Sequence, residues 1–262
     1  MIRSPVSVKS ADYPAALRSY LDGAKLFDSS CSPFAEVIFI QKGEGYYLKK
    51  AKAGELKREA EMTGYYASLG LSARVVEYIT EKGCDYMLTE RIRGEDCTYF
   101  KYLEQPVRLC DTLATLLRQL HEREYTGCPI PDHTELYLKT AEENYKKGLF
   151  DPSYIMKELN IPDADSAYRY VNERRDMLKS DTLLHGDYCL PNVMLDDFAF
   201  SGFIDVGNGG VGDRHVDLFW GAWTLNFNLK TDRYRERFFD AYGRELVDRE
   251  RLMLVSAVEA FG

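Results

Sequence analysis

The sequence predicts an α+β fold in two parts, a smaller amino-terminal lobe with an antiparallel sheet plus one helix and a larger, mainly helical carboxy-terminal lobe. Three observations predict it. Apolar runs of strand length alternate with glycine-containing turns in the first third of the chain. A strongly amphipathic segment follows at 106–121, and helical patterns continue from there to the end. We place the boundary at residue 91, which gives lobes of 1–91 and 92–262.

The composition is that of a globular protein rather than of a nucleic-acid-binding or membrane protein. With 262 residues and 45% hydrophobic content, the chain can bury a substantial core. Its net charge of −8 argues against a nucleic-acid surface, whose affinity comes from Lys and Arg on phosphates, and mildly favours cationic partners. No apolar run approaches the ~20 residues of a membrane helix. The six cysteines form no Cys-x-x-Cys pair, so we expect reduced thiols in a cytoplasmic protein.

The amino-terminal lobe begins with a short predicted helix at 17–21 and a small polar loop at 28–34. The apolar run 37–40, a glycine-containing turn and the run 46–49 then predict a β-hairpin whose second strand ends in Lys49. A lysine at a strand end is usually solvated. Here the motifs further along the chain favour a functional lysine instead.

A predicted helix over 54–69 follows this hairpin, and it carries the acidic residue that can pair with Lys49. Glu59 is the natural partner, with Glu55 and Glu61 as alternatives if the helical register differs. Further strands around 75–88 complete a predicted five-stranded antiparallel sheet.

The carboxy-terminal lobe opens with the amphipathic helix at 106–121, which ends in His121. We interpret His121 as a packing or hydrogen-bonding residue, because a histidine that finishes an apolar helix usually satisfies neighbouring polar groups. The segment 132–179 predicts two or three helical pieces. The last predicted helices span 213–225, 232–242 and 248–261.

The stretch 185–217 concentrates polar residues at the ends of short apolar runs. Asp187 and Asn192 are five apart, and a predicted hairpin over 193–204 returns Asp205 to the neighbourhood of Asn192. Carboxamide and carboxylate oxygens, with phosphate oxygens and water, suit a hard cation such as Mg²⁺. We therefore predict Asn192 and Asp205 as metal ligands and Asp187 as a base.

This stretch resembles the catalytic core of the aminoglycoside 3'-phosphotransferases, antibiotic kinases with a protein-kinase-like fold. The resemblance lies in His-Gly-Asp at 185–187 with Asn192 five after the Asp, Gly-Phe-Ile-Asp-Val-Gly at 202–207 and Asp-Arg-His-Val-Asp at 213–217. It implies a bilobal fold, ATP and Mg²⁺ as cofactors, and transfer of the γ-phosphate to a hydroxyl group.

The resemblance also implies a nucleotide site in the amino-terminal lobe. Ser-Pro at 32–33 is similar to the nucleotide loop of these kinases, and Lys49 would pair with Glu59 as in kinases generally. Backbone groups at the edge of the lobe would hold the adenine. The implied nucleotide-contacting residues are Ser29, Ser30, Ser32, Lys49, Glu59, Met87, Thr89 and Arg91.

Three neighbours of the catalytic loop receive structural roles. His185 stands two residues before the proposed base, a position that is structural in kinase-like loops. The counterpart of Asp217 holds the backbone of the catalytic loop through N–H bonds. Asp213, at a predicted helix start, is most simply an N-cap.

The acceptor site carries the weakest signal. The ending Val-Glu-Ala-Phe-Gly resembles the Glu-x-Phe ending of the family, which makes Glu259 a substrate candidate against an exposed terminal position. Two places depart from the family. Asn208 stands where Arg is frequent, and the helix that carries Arg and acidic residues in the family contains Trp223 and Phe227 here, with aromatic and amide side chains instead of charged ones. Glu158 is one of the few acids in the segment 151–158.

Together these patterns predict an ATP-dependent phosphotransferase acting on a small-molecule hydroxyl, most simply on a cationic aminosugar as in a kanamycin kinase. One alternative is a small-molecule kinase of the same fold with a less cationic substrate. Another is a nucleotide-binding module without catalysis.

Overall fold

The computed structural model describes residues 4–31, 33 and 35–262. The strands are β1 (Ser4–Val6), β2 (Lys25–Asp28), β3 (Glu36–Gln41), β4 (Tyr46–Lys52), β5 (Val75–Glu81), β6 (Cys84–Glu90), β7 (Glu95–Asp96), β8 (Thr182–Leu184), β9 (Val193–Asp196), β10 (Ala199–Phe203) and β11 (Gly210–Gly212). The α-helices are α1 (Ala15–Leu21), α2 (Lys57–Ser68), α3 (Phe100–Leu103), α4 (Pro106–His121), α5 (His133–Lys146), α6 (Ala164–Arg174), α7 (His215–Leu229), α8 (Arg235–Gly243) and α9 (Arg249–Glu259).

The chain divides into two compact units. The first runs to Tyr99 and also contains Pro191–Asn208, whereas the second consists of Phe100–Leu190 and Gly209–Gly262. The segment 191–208 therefore packs with the amino-terminal elements although it follows most of the second unit in sequence. The predicted boundary at residue 91, between a nucleotide-binding and a catalytic lobe, stays a prediction.

The first unit contains an antiparallel sheet in the order β1-β2-β3-β4-β6-β5. The predicted count of five strands was wrong, because the described part of the chain adds β1, which pairs with β2 at the sheet edge. Three residues of edge strand leave little periodic signal in a sequence. The β5–β6 hairpin turns through Lys82 and Gly83, both with positive φ (51° and 78°), as a two-residue turn of matching twist requires.

The two faces of this sheet have different cores. One face packs on α1, and its buried residues are Tyr13, Leu17, Leu21, Leu26, Ile38, Ile40, Leu48, Tyr86 and Leu88. Because side chains alternate along a strand, Lys49 and Met87 belong to the other face, where Ala51 and Met87 pack with Leu56 and Ala60 at the start of α2. Lys49 and Met87 are cross-strand neighbours, so β4 and β6 place them side by side.

A second, smaller sheet of the first unit has the order β10-β9-β7. The β9–β10 hairpin turns through Asp197 and Phe198, both in the left-handed region at φ 49° and 66°. At the end of this hairpin the backbone N–H of Ile204 donates to the carbonyl of Asn192 at 3.0 Å. The return of the chain towards Asn192, predicted from the sequence, is confirmed.

The second unit is mainly helical, as predicted. The amphipathic stripe of α4 is buried at Leu109, Leu113, Leu117 and Leu120, and α4 packs on α8 and α7. β8 and β11 form a two-stranded antiparallel ladder that leads into the loop at 185–190. In the described part of the chain no helix is both long and apolar enough to cross a bilayer.

Candidate active site

Lys49 is the centre of a charge cluster in the first unit. Its Nζ lies 2.8 and 2.7 Å from the two carboxylate oxygens of Glu59 and 2.9 Å from Oδ1 of Asp205. Burial by itself would lower the pKa of Lys49, but the facing charges of Asp205 and Glu59 outweigh it and raise this pKa above its ordinary value. Lys49 therefore carries its full positive charge at neutral pH. It lies in the middle of β4, which continues to Lys52, rather than at a strand end.

Glu59 is the acidic partner that the sequence favoured. It lies in the first turn of α2. The alternatives are engaged elsewhere: Glu55 accepts the backbone N–H of Lys52, and Glu61 faces the ammonium group of Lys57. Burial, together with the nearby charge of Asp205, raises the pKa of Glu59. The predicted pairing of Lys49 with Glu59 is thus present.

A close approach of two elements fixes the position of Glu59. A Cβ built on Gly207 would lie 3.0 Å from Cβ and 3.2 Å from Cγ of Glu59. Gly207 belongs to the 3₁₀ turn Val206–Asn208, which contacts α2. The glycine of Ile-Asp-Val-Gly therefore lets the helix that carries Glu59 come into place beside Asp205.

The two predicted metal ligands lie on either side of the β9–β10 hairpin. Asn192 closes the 3₁₀ turn Leu190–Asn192 and is buried, whereas the Asp205 side chain is 51% exposed. Asp205 has φ 54°, a left-handed backbone that costs a non-glycine residue on the order of 1–3 kcal/mol. Both residues line one cavity. Among the described residues, no group of three or more His, Cys, Asp or Glu side chains is arranged so that it could hold a metal ion.

This cavity of about 250 Å³ lies wholly within the first unit. Apolar side chains form much of its lining, including Val37, Met194 and Ile204, and the polar members include the Lys49 cluster. A mostly apolar cleft with a few convergent charged groups is the usual form of a small-molecule site. Such a cavity can hold a flat base against its apolar lining and a phosphate chain at its lysine.

The predicted nucleotide loop contributes unevenly to the cavity. Ser29 is buried and lines it, with its backbone N–H donating to the carbonyl of Val37 at 2.8 Å. Ser30 instead closes the loop, since its Oγ accepts the N–H of Val37 at 2.9 Å. Ser32 lies outside the described residues. Cys31, which carried no sequence signal, also lines the cavity and is exposed.

The edge of the first unit corrects one expected contact. Met87 and Thr89 line the cavity as predicted, but Arg91 does not belong to its described lining. The N–H of Arg91 donates to the carbonyl of Gly45 at 3.0 Å, because the pairing of β4 with β6 continues by one residue. That donor is already used within the protein. Glu90 and Ile92, on either side, line the cavity in its place.

In the second unit, Asp217 holds the loop that presents Asp187. The N–H groups of His185 and Gly186 donate to the two carboxylate oxygens of Asp217 at 2.7 and 2.8 Å. Burial would raise the pKa of Asp217, but its hydrogen bond with His121 and these backbone donors hold the pKa below its usual range. Asp217 is therefore a permanent carboxylate, and its predicted role in holding the loop is confirmed.

Both histidines near the loop are buried and structural, as predicted. His121 contacts Asp217 through Nε2 at 3.1 Å and Tyr242 through Nδ1 at 2.8 Å. Burial lowers the pKa of His121, which keeps its ring neutral at physiological pH. Nδ1 of His185 accepts the N–H of Asp187 at 3.3 Å, so this ring supports the backbone of the proposed base.

Asp213 is not the N-cap that the sequence predicted, since the helix α7 begins two residues later. Its carboxylate accepts the backbone N–H groups of Lys179 and His215, each at 2.9 Å, and also contacts the His215 ring. Burial would raise the pKa of Asp213, but these donors lower it. Through these hydrogen bonds, Asp213 connects the start of α7 with Lys179, in the segment before β8.

Glu259 is buried rather than exposed at the end of α9. Its Oε1 accepts the hydroxyl of Tyr137 at 2.8 Å and the indole N–H of Trp220 at 3.0 Å. Burial raises the pKa of Glu259 to about 7, although both donors oppose the shift, and the charge of Asp187 adds to it. Tyr137 and Trp220 carried no sequence signal, because their partner lies at the far end of the chain.

Trp223 and Phe227 form a stack whose outer ring, Phe227, is exposed and whose inner ring, Trp223, is partly buried. Their ring centroids are 4.9 Å apart with an interplanar angle of 10°, and Phe227 is 55% exposed. Tyr154 and Trp220 extend this group as an aromatic wall with Trp223 and Phe227. The ammonium group of Lys230 lies 4.2 Å above the Phe227 ring, which shows that this ring accepts a cation.

The remaining two candidates lie apart from these groups. Asn208 is an exposed residue of the first unit whose carbonyl accepts a guanidinium N–H of Arg58 at 3.3 Å. Glu158 is exposed in the second unit and forms an ion pair with Arg249 at 2.9 Å. The charge of Glu158 is thus largely compensated within the chain.

The fold and these residues together define a phosphotransferase of the kinase-like class. The chain belongs to the phosphotransferase enzyme family, whose family model matches residues 34–255. A probable aminoglycoside 3'-phosphotransferase of Lactococcus lactis subsp. lactis (strain IL1403) is 50% identical over 250 residues, which cover 95% of each chain.

Solved structures agree with this assignment. The crystal structure of an aminoglycoside 3'-phosphotransferase of type VIII is 25% identical and matches with a TM-score of 0.76 over 97% of this chain and 99% of that one. An aminoglycoside phosphotransferase of Streptomyces rimosus, solved with ADP and streptomycin, matches with a TM-score of 0.70 at 20% identity over 86% and 90% of the two chains. These likenesses confirm the predicted fold class.

Proposed function

We propose that this phosphotransferase transfers the γ-phosphate of ATP to a hydroxyl group of a cationic aminosugar, in the manner of an aminoglycoside 3'-phosphotransferase. The observation that carries the proposal is the Lys49–Glu59–Asp205 cluster in a largely apolar cavity of the first unit. The second unit by itself presents Asp187 on a loop that is held by Asp217. The Lactococcus lactis relative, named a probable aminoglycoside 3'-phosphotransferase, supports the acceptor class.

The cavity in the first unit is the proposed ATP site. Its apolar lining suits the adenine, with Met87, Thr89, Glu90 and Ile92 along the sheet edge. Lys49, kept charged by its two carboxylate neighbours, would orient the phosphates. The structures of relatives solved with ADP support a nucleotide in this fold.

The oxygen donors of Asn192 and Asp205 fit a magnesium ion. A carboxamide and a carboxylate are hard ligands, and Mg²⁺ usually takes one or two such groups and completes its shell with phosphate oxygens and water. The carboxylate of Asp205 lies 2.9 Å from the ammonium group of Lys49, so it already binds one cation. When bound, the ion neutralises phosphate charge, and the two residues here would hold it against the nucleotide.

Asp187 is the proposed group that receives the acceptor hydroxyl. It is partly exposed, while the residues around it, from His185 to Leu190, are mostly buried. In phosphoryl transfer the protein mainly positions reactants and accepts the hydroxyl proton. A carboxylate on a loop fastened through its backbone satisfies both requirements.

The acceptor pocket is proposed to use Glu259 and the aromatic wall of the second unit. A buried carboxylate with two donors on one oxygen can offer its other oxygen to an ammonium group. Aromatic faces attract cations and cover the apolar side of a sugar ring. Both elements favour an aminosugar over an anionic or purely apolar compound.

The decisive experiment measures ADP release with a panel of aminoglycosides that carry a 3'-hydroxyl and with matched 3'-deoxy analogues. Turnover with the hydroxyl compounds and none with the deoxy compounds is expected. Equal turnover with both would contradict the position of transfer. No turnover with any aminoglycoside would contradict the acceptor class.

A second candidate acceptor is a less cationic hydroxyl compound. It is favoured by the pairing of Glu158 with Arg249 and by the aromatic side chains of Trp223 and Phe227 on α7. A screen of neutral sugars and nucleosides in the same ADP-release assay separates the two candidates, because this second class would turn over while aminoglycosides do not.

A further inference from the structure

One face of α7 attaches to the loop 185–190 at both ends of that loop. Asp217, near the start of the helix, receives the N–H groups of His185 and Gly186. Thr224 lies seven residues later, which is two helical turns and therefore the same face. Its Oγ1 accepts the N–H of Leu190 at 3.1 Å. Asp187 is the first of the three residues between these two attachments.

The hydroxyl of Thr224 is held in a defined orientation. Thr224 is only 1% exposed, and Asn228 donates from Nδ2 to its carbonyl at 2.8 Å and to its Oγ1 at 3.2 Å. Two N–H donors occupy the acceptor positions of this hydroxyl, so its own hydrogen points to another neighbour. One residue before Leu190, the backbone N–H of Cys189 donates to the carbonyl of Asp187 at 2.8 Å.

These contacts form a continuous path from α7 to the proposed base. Thr224 fixes the backbone of the loop at Leu190, and the hydrogen bond from Cys189 to Asp187 continues this attachment along the backbone. Burial raises the pKa of the Cys189 thiol, so this side chain stays uncharged between Asp187 and Leu190. Thr224, Leu190 and Cys189 take no chemical part in the proposed transfer reaction.

We propose that Thr224 is a positioning residue for Asp187, and that its hydroxyl sets where the loop presents this carboxylate to the acceptor. The inference rests on the proposed function, because it assigns Thr224 to the same transfer reaction. Without the hydroxyl, the buried N–H of Leu190 loses its partner, and the loop must shift to regain one. A displacement of about 1 Å at a reacting group can lower a rate about 100-fold.

The test compares three variants of the full chain. Thr224→Val removes the hydroxyl at nearly constant volume, and Thr224→Ser restores it. Thr134→Val is the matched control, since Thr134 is also buried in the second unit and its hydroxyl donates to the backbone carbonyl of Lys179 at 2.9 Å. The readouts are kcat, the KM for ATP and the thermal midpoint of unfolding.

We expect Thr224→Val to lower kcat about 10- to 100-fold while the KM for ATP stays within about twofold. Thr224→Ser should recover most of kcat, and Thr134→Val should lower the midpoint without a comparable loss of kcat. A folded Thr224→Val enzyme with wild-type kcat would overturn the inference. So would a loss of kcat equal to that of Thr134→Val at the same loss of stability.

A second measurement separates this inference from the proposed function. Amide hydrogen exchange at Leu190 should be faster in Thr224→Val than in the wild type, and unchanged in Thr134→Val. Unchanged exchange at Leu190 would refute the attachment whatever the activity. A wild-type protein that phosphorylates no acceptor would contradict the proposed function, whereas an active Thr224→Val enzyme contradicts the positioning role alone.

Discussion

At the scale of single residues, Asp205 combines an unfavourable backbone conformation with an ion pair to Lys49. Its φ of 54° is unfavourable for a side chain with a Cβ, yet the carboxylate lies 2.9 Å from Lys49. Backbone strain of this kind persists where the surroundings over-determine it, and it concentrates at functional sites. The left-handed turn directs the carboxylate towards the lysine as the chain leaves β10.

Replacement of Asp187 by Asn should remove the proton acceptor while it keeps the size of the side chain. We expect kcat to fall about 100- to 10,000-fold, the usual contribution of general acid–base catalysis. Nucleotide affinity, measured by calorimetry, should stay within about twofold because the cavity residues belong to the first unit. Asp196→Asn, in an exposed acid of the first unit, is the control. Turnover above a few per cent in Asp187→Asn would refute the assignment.

Glu259 predicts how acceptor binding depends on pH. Burial raises its pKa to about 7, so the carboxylate is charged above that pH and neutral below it. Affinity for a cationic acceptor should therefore be present above about pH 7 and weaken as the pH falls, by up to about tenfold per unit. Steady-state KM values for the acceptor at pH 6 and pH 8 measure this change.

Glu259→Gln is the control for this pH effect, because the amide keeps an oxygen for Tyr137 and Trp220 but does not titrate. Its acceptor KM should be high at both values of pH. An acceptor KM in the wild type that is the same at pH 6 and pH 8 would contradict the prediction.

At the scale of elements, the approach of α2 to the 3₁₀ turn at 206–208 builds the end of the cavity that contains Lys49 and Glu59. Gly207→Ala would place a methyl group 3.0 Å from Cβ of Glu59, and α2 must move to relieve this contact. We expect a loss of about 1–3 kcal/mol in the free energy of unfolding, as overpacking usually causes, together with a lower kcat. Chemical denaturation and the ADP-release assay measure the two effects.

The same helix offers a matched control. Gly64 lies within α2 with open space around its Cβ position and no positive φ. Gly64→Ala should therefore stabilise the protein by about 0.5–1 kcal/mol through helix propensity, with unchanged kcat. Equal changes in the free energy of unfolding and in kcat for both alanine variants would contradict the importance of the close approach at Gly207.

The helix α7 shows how one element can serve several parts of a site. Its residues Asp217 and Thr224 hold the loop that carries Asp187. Trp220 donates to Glu259, and the stack of Trp223 on Phe227 forms part of the aromatic wall. Because an α-helix has 3.6 residues per turn, these side chains lie on adjoining faces of α7.

At the scale of the whole molecule, nucleotide and metal should stabilise the folded state. A ligand that binds only the native protein adds about 2.7 kcal/mol when present at 100 times its dissociation constant, or a rise of roughly 5–10 °C in the midpoint for a chain of this size. We expect this rise with ATP and Mg²⁺ together and a clearly smaller one after chelation with EDTA. Differential scanning fluorimetry measures it.

Two lysines of β4 provide the comparison for this measurement. Lys49→Met should abolish most of the shift, because it removes the charge that we propose to orient the phosphates. Lys52→Met, at an exposed position of the same strand, should keep it. An equal shift with and without EDTA would contradict the assignment of Asn192 and Asp205 to a metal.

Several features could be predicted from sequence because they depend on local patterns. The stripe of α4 and the return of the chain towards Asn192 follow from the spacing of apolar residues. Arg91 was placed wrongly because main-chain contacts at a strand end carry no side-chain signature. The β1 strand was missed for a similar reason, since three residues show too little alternation.

By itself, the sequence determined the fold class and the residues with chemistry to offer, because periodicity and motif spacing are properties of neighbouring positions. Only the tertiary structure decided which of the candidate glutamates meets Lys49, that Glu259 is buried between Tyr137 and Trp220, and that Thr224 receives the N–H of Leu190. Those contacts join residues from 10 to 122 positions apart. Their geometry depends on how helices and strands pack, which no local pattern encodes.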